Sequence, residues 1–281
     1  MSLTIAPGPA LRYHGGKFRL AAWILTHLPP HRTYVEPYGG AAGVLLNKPR
    51  AYAEVWNDLD GEVVNFFQVL RDRRADLVEA CALTPYAREE FELAWAPSED
   101  PVERARRLCV RAQMGFGSAG ATKGQTGFRI DCFREYGTAQ HLWARYPDNL
   151  AYVGERFQGV LIEHRPALEV LQQHDGAQTL HYVDPPYLHE LRVMRGHGYY
   201  RHEMSDADHQ ALLECLLGLE GMVVLSGYPN PLYDATLAGW QTRETSARIA
   251  AGRGTTVRAE KLWLNPAAVA AMQAGSLFAG L

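Results

Sequence analysis

Residues 33–58, TYVEPYGGAAGVLLNKPRAYAEVWND, decide the fold class. The run 33–36 is short and β-prone, and Pro37 and Tyr38 follow it before Gly39, Gly40 and Gly43. Residues 41–47 have helix-forming composition. Residues 51–56 read as a second strand ending at Asn57 and Asp58, and 63–70 read as a helix. Strand, glycine turn, helix, strand, acid is the opening of a doubly wound α/β sheet.

The same grammar returns after residue 150. Residues 160–163 form a candidate strand and 166–174 a helix. Residues 180–183 form an apolar strand that runs straight into Asp184-Pro185-Pro186-Tyr187. Ser205 offers an N-cap with Asp208 three positions on, so a helix is expected to about residue 219, ended by Gly221. Residues 222–225 are a buried-type strand. The last two strand candidates, 241–248 and 256–264, are expected to pair as an antiparallel hairpin at the sheet edge.

Between these halves the pattern changes. Residues 84–96 and 101–114 read as helices, and 115–127, GFGSAGATKGQTG, is too glycine-rich to be expected to hold one shape by itself. The expected organisation is a sheet domain of residues 1–72 and 151–281, interrupted by a helical, glycine-rich insert at 73–150. A chain of 281 residues with 47% hydrophobic content can bury one such core.

Other classes are disfavoured. Cys81, Cys109, Cys132 and Cys215 include no C-x-x-C pair, so neither a zinc site nor a disulfide framework is indicated. His197, His202, Glu203 and His209 have a spacing that fits no common metal site, and no metal is expected. The start MSLTIAPGPA lacks the basic and apolar pattern of a signal peptide, and no uncharged apolar stretch approaches the ~20 residues of a membrane span. The net charge is −3, so any grip on nucleic acid must be local. Residues 101–146 supply one candidate, with eight basic residues against three acidic ones. Arg104, Arg107 and Arg111 fall within about a 60° arc of a helix, opposite an apolar back. Lys123 and Arg129 follow. A second cluster, Arg192, Arg195 and Arg201 with Tyr199 and Tyr200, lies beyond residue 187.

Asp184 to Tyr187 stands at the carboxyl end of a strand, where open α/β sheets bind ligands. A conjugated amino group is a weak nucleophile, because its lone pair is delocalised into the ring. The Asp184 carboxylate and the Pro185 carbonyl offer acceptors for its two N–H bonds. That favours a more tetrahedral nitrogen and stabilises the positive charge that builds on it. Tyr187 is placed to stack on the ring.

Here the chain resembles the amino-methyltransferases of DNA, specifically the α-group adenine enzymes of the Dam-like, phage-encoded type. Tyr13-His14-Gly15-Gly16-Lys17 is similar to the family's Trp/Tyr-x-Gly-Gly-Lys start. Val35-Glu36-Pro37-Tyr38-Gly39-Gly40 is similar to its cofactor loop, with Tyr for Phe and shifted glycines. Cofactor motifs, then an insert, then the catalytic motif is the order of the α group. The resemblance implies a Rossmann-like, S-adenosylmethionine-dependent methyltransferase sheet of seven strands with a C-terminal antiparallel hairpin and an inserted helical target-recognition module. It implies methyl transfer from S-adenosylmethionine to the amino group of adenine flipped out of duplex DNA. The implied cofactor residues are Tyr13, Lys17, Glu36, Pro37, Gly39, Gly40, Asp58 and Asp184, with Lys17 facing the methionine carboxylate and Asp58 the ribose. Glu163 is a further candidate toward the cofactor adenine. The arginines and Lys123 above become DNA contacts. A monomer or weak dimer in the cytoplasm, on double-stranded DNA, is expected. Restriction protection, host regulation and phage self-marking all fit. An RNA adenine methyltransferase and a catalytically silent DNA-binding relic stay open as alternatives.

Overall fold

The computed structural model describes residues 6–122, 124–130, 138–188, 201–251 and 254–278. Strands β1 (Thr33–Glu36) and β2 (Ala53–Asn57) pair in parallel with Val35 opposite Val55. Strand β3 (Val160–Glu163) adds beyond β2; β4 (Thr179–Val183) and then β5 (Met222–Gly227) add on the other side of β1, all parallel. Strands β6 (Gln241–Ala251) and β7 (Gly254–Leu264) form a hairpin whose β7 runs antiparallel to β5. The order is β3-β2-β1-β4-β5-β7-β6. Strands β4 and β5 are buried at every position, as a sheet covered on both faces requires.

The strand order reverses between β1 and β4, and the crevice there opens over the carboxyl ends of both. That places the Glu36 end of β1 beside the Asp184 end of β4. Because β7 runs the other way, the start of its pairing with β5 lies at the same edge: Gly227, the last residue of β5, faces Lys261.

Local chemistry fixes the covering helices. Helix α1 (Ala21–Leu25) is a short piece, and α2 (Gly61–Asp72) is capped by Asp60, which accepts from the Glu62 N–H at 3.0 Å. Among the described residues, five α-helices then follow: α3 (Arg74–Leu83), α4 (Arg88–Leu93), α5 (Pro101–Met114), α6 (Ala139–Ala144) and α7 (Tyr146–Arg156). The cap of α5 is Asp100, with Pro101 in the first turn. Helices α8 (Ala167–Gln173), α9 (Asp206–Leu217), α10 (Pro231–Thr236) and α11 (Pro266–Phe278) complete the layers.

The chain 73–150 changes architecture without breaking the packing. Leu77, Leu108 and Leu150 belong to one buried cluster with Val63, Phe66 and Leu70 of α2. Phe67 stacks on Phe157 at 4.2 Å and lies 4.6 Å from Trp56 of β2. Arg156 of α7 clamps Glu54 of β2 at 2.6 and 2.9 Å, and Lys48 meets the same carboxylate at 2.8 Å. The helical insert and the sheet are thus halves of one core.

Three local expectations fail for identifiable reasons. Residues 41–47 form successive turns and not a helix. Gly40 and Ala42 both have positive φ, and the Leu45 N–H donates to the Glu36 side chain at 2.8 Å where a helix would need a backbone acceptor. Residues 84–96 contain only the shorter α4. Helix α9 stops at Leu217 with Gly218 as its cap, short of Gly221, although its Ser205–Asp208 capping box forms as expected. Gly221 instead permits a close approach between loops, since a Cβ there would stand 2.8 Å from Asp175 Oδ1 and 2.9 Å from the Thr179 carbonyl.

Candidate active site

Asp184, Glu36, Asp58, the glycine turn and the segment from Tyr13 to Lys17 all line one cleft of about 940 Å³, counted to its open mouth. The turn is held from below. Asp58 accepts the Gly40 N–H at 2.8 Å on one oxygen and the Asp60 N–H at 2.8 Å on the other. Burial pushes its carboxyl up to about 6 against those two bonds.

The glycines serve the protein's own packing first. A Cβ at Gly39 would lie 2.0 Å from the Trp56 indole nitrogen, and one at Gly43 would lie 2.7 Å from the Phe18 nitrogen. Gly43 therefore lets the Tyr13–Lys17 segment fold down onto the turn. Gly40 combines φ +48° with the Tyr13 ring 3.0 Å from its would-be Cβ. Gly39→Ala is expected to lower stability by about 1–3 kcal/mol through overpacking against the fully buried Trp56. Urea denaturation checks this; an unchanged midpoint and slope would contradict the packing argument.

Glu36 is 2% exposed. Its Oε1 accepts from Tyr34 Oη at 2.6 Å and from the Leu45 N–H, while Oε2 is buried with no partner. Burial drives its carboxyl up to about 7, further than those bonds pull it down. It is an acid in a cleft with one oxygen left to accept a donor.

At the other wall lies a compact charge cluster. Lys17 Nζ is 2.8 Å from Asp184 Oδ1, donates to the Gly15 carbonyl at 3.0 Å and to the Tyr187 hydroxyl, and lies 3.6 Å from Glu260 Oε1. Burial alone would pull the Lys17 ammonium down, but the charges of Asp184 and Glu260 outweigh it and hold the ammonium well above its usual range. For Asp184 the balance goes the other way. Burial pushes its carboxyl up to about 6 despite Lys17, and Glu260 adds to the push. It remains ionised at neutral pH. Pro185 is buried and Pro186 lines the cleft; the Tyr187 ring lies tilted by 31° against Tyr228, with centroids 4.2 Å apart.

The structure gathers every expected cofactor residue: Tyr13, Lys17, Glu36, Pro37, Gly39, Gly40, Asp58 and Asp184 all line the cleft. Lys17, however, is engaged by the protein's own acids and does not stand free for a carboxylate from outside. Glu163 lies 3.5 Å from His174 and away from the cleft lining. Among the described residues no three of His, Cys, Asp or Glu gather as a metal site would need, and His209 is buried against the Tyr233 hydroxyl at 2.8 Å.

Of the arginines expected to contact DNA, several are drawn into the protein's own packing. Arg104, Arg107 and Arg111 do share a face and a side cleft with Arg201. Their guanidinium groups are not presented outward as an open basic front. Arg111 is buried, donating to the Ala94 carbonyl at 2.6 Å and facing Glu62 at 3.4 Å. Arg107 is held by Glu103 at 2.6 Å and by the Ala96 and Pro97 carbonyls, both at 2.8 Å. Arg104 pairs with Glu62 at 2.6 Å. Arg129 is 7% exposed. The reason is general: a guanidinium drawn into a packed helical layer must take partners there. Arg104 and Arg201, whose side chains are 34% and 45% exposed, keep the access a phosphate would need. A partly exposed pair such as Arg104–Glu62 holds by only ~1 kcal/mol or less. Lys123, Arg192 and Arg195 lie outside the described residues.

Sequence reading missed Glu260, Ser226 and Trp56. Nothing in the spacing ties residue 260 to residue 184; only the reversal of β7 brings them together.

The strand order with its reversed final hairpin, and an acid-lined crevice at the β1/β4 switch point, define a Rossmann-like methyltransferase sheet. A family model described as D12 class N6 adenine-specific DNA methyltransferase matches residues 13–232, and the chain belongs to that family. The chain is 25% identical to a DNA adenine methylase of Serratia marcescens over 221 residues, 72% of this chain and 75% of that protein. It is 25% identical to a DNA adenine methylase of Escherichia coli K12 over 189 residues, 63% of this chain and 64% of that protein, so the match spans just under two thirds of the latter. A solved precorrin 8W decarboxylase from Methanobacterium thermoautotrophicum overlies 88% of this chain and 89% of its own, at 11% identity and a TM-score of 0.38, too distant to weigh.

Proposed function

We propose that this chain transfers a methyl group from S-adenosylmethionine to the exocyclic amino group of adenine flipped out of double-stranded DNA. The observation that carries the reading is Asp184 at the end of β4, in the same cleft as the glycine turn, Glu36 and Asp58. The Asp184 carboxylate and the Pro185 carbonyl accept the two N–H bonds of the target amine, and Tyr187 stacks on the base. As the nitrogen takes the methyl it sheds one proton, and the Asp184 carboxylate is the acceptor already in contact with it.

The cleft fits the cofactor. The partnerless Glu36 Oε2 suits the methionine ammonium, and the end of β2 at Asp58 suits the ribose hydroxyls. Tyr13, Pro37, Gly39 and Gly40 complete the wall. When bound, the cofactor supplies an electrophilic methyl on a sulfonium. Lys17 serves this site by setting the charge of Asp184.

The helical insert 73–150 supplies target recognition in this reading. Arg104 and Arg201, with Lys123, Arg192 and Arg195, supply phosphate contacts, which position the duplex without reading its sequence. In this reading the protein works in the cytoplasm, on DNA, as a monomer or weak dimer. Among the described residues no helix is long and apolar enough to cross a membrane.

The test is expression in a host without adenine methylation, with modified adenines mapped across its genome, beside purified protein given duplex DNA or ribosomal RNA. Methylated adenine at one recurring DNA sequence is expected. Methylation of the RNA alone, or cofactor binding without any transfer, would replace the proposal.

A further inference from the structure

We infer that Glu260 of β7 is a positioning residue for methyl transfer: it holds Lys17 and the Tyr187 hydroxyl, and so fixes the charge and ring orientation that Asp184 and Tyr187 present to the target amine. The inference rests on the adenine-methylating reading of this cleft. Glu260 lies beyond the residues matched by the family model.

Four observations converge on it. Glu260 is 2% exposed, yet its carboxylate is surrounded by polar groups. The Ser226 hydroxyl donates to Oε1 at 2.8 Å. The Tyr187 hydroxyl donates to its two oxygens at 3.2 and 3.4 Å. Lys17 Nζ stands 3.6 Å away while also donating to Tyr187. Burying a carboxylate is expensive, and an apolar residue would close a strand-to-strand contact better. A fully buried acid whose partners are two residues of the site and one hydroxyl of the next strand acts on the site.

How it acts follows from geometry. Without Glu260, Asp184 would be the only carboxylate left for Lys17. The ammonium would settle fully on it and hold the lone pairs that the amine needs. With Glu260 present the ammonium is shared between two acids. Tyr187 gains equally: its ring is clamped on Tyr228 and its hydroxyl is tied to β7, so both ends of the side chain are fixed.

Glu260→Gln keeps the shape and removes the charge. The other groups facing Asp184 are Lys17, Glu36 and Tyr233 from other elements and Tyr182 from its own strand, and none of them changes. The expected result is a kcat lower by up to about 100-fold with the dissociation constant for S-adenosylhomocysteine within about threefold of wild type. The acid limb of kcat against pH is expected to move to lower pH, because a like charge has left the side of Asp184. Glu260→Asp is expected to recover part of kcat. A folded Glu260→Gln protein with wild-type kcat and an unmoved acid limb would overturn the inference. If Glu260→Gln does not fold, Ser226→Ala decides: a severalfold lower kcat with unchanged cofactor affinity supports the role, and an unchanged kcat overturns it. Wild-type protein on duplex DNA is the control. Its failure to methylate would strike the reading of the cleft itself, whereas the results above separate the role of Glu260 within a working enzyme.

Discussion

Asp184→Ala is expected to lower kcat by about a thousandfold or more and to leave the fold standing. The loss corresponds to roughly 4 kcal/mol of transition-state stabilisation, the size expected when a preorganised acceptor is removed from a site where charge develops. Stability survives for two reasons. The carboxyl at 184 is raised to about 6, so the buried ionised form disfavours folding at neutral pH, and its removal relieves that penalty. Lys17 meanwhile keeps Glu260, the Gly15 carbonyl and the Tyr187 hydroxyl. The same value sets the wild-type pH profile. The carboxylate is the active form, so kcat is present above pH 6 and falls as pH drops through it. Single-turnover transfer of labelled methyl, with circular dichroism and S-adenosylhomocysteine binding as controls, measures all of this. A well-folded alanine variant with more than about a tenth of wild-type activity would remove Asp184 from the mechanism.

What the sequence reveals here depends on how local the cause is. Strand β3 is bounded in the structure as its apolar run suggests, and α5 begins and ends where Asp100, Pro101 and Gly115 punctuate it. Asp184 is legible because the strand before it and the two prolines and the aromatic after it are all adjacent in sequence. The turn at 41–47 is not legible as a turn, because what breaks the helix is the side chain of Glu36, nine residues before Leu45. The arginines of α5 show the same limit. Their angular arc is a property of one helix and can be read from spacing. Glu103, four residues before Arg107 on the same helix, can be read the same way; the other partners, Glu62 and the carbonyls of 94, 96 and 97, come from other elements and cannot. Glu260 is the extreme case: a charged residue in a strand that becomes functional only because β7 reverses direction beside β5.

Lys17→Met tests the charge cluster from the opposite side. The substitution keeps an unbranched side chain but leaves Asp184 and Glu260 as two buried carboxylates facing each other with no cation between them. Removing one partner of a buried pair commonly costs about 3–5 kcal/mol, because the remaining charge has lost its compensation. The pH dependence gives the sign. In the wild type Lys17 pulls the Asp184 carboxyl down against burial and Glu260; without it that carboxyl rises above 6. A raised folded-state value contributes stability that is present at low pH and lost as pH rises through it. The variant is therefore expected to approach wild-type stability near about pH 5 and to fall furthest behind near about pH 8, as read by urea denaturation at each pH. Its kcat is expected to drop and its acid limb to move up, opposite to the shift expected for Glu260→Gln. The opposed shifts separate an electrostatic role from mere loosening of the site, since damage to packing would lower both rates and move neither limb. A Lys17→Met protein as stable as wild type at both pH values, with its acid limb in place, would mean that Asp184 is not tuned by this lysine.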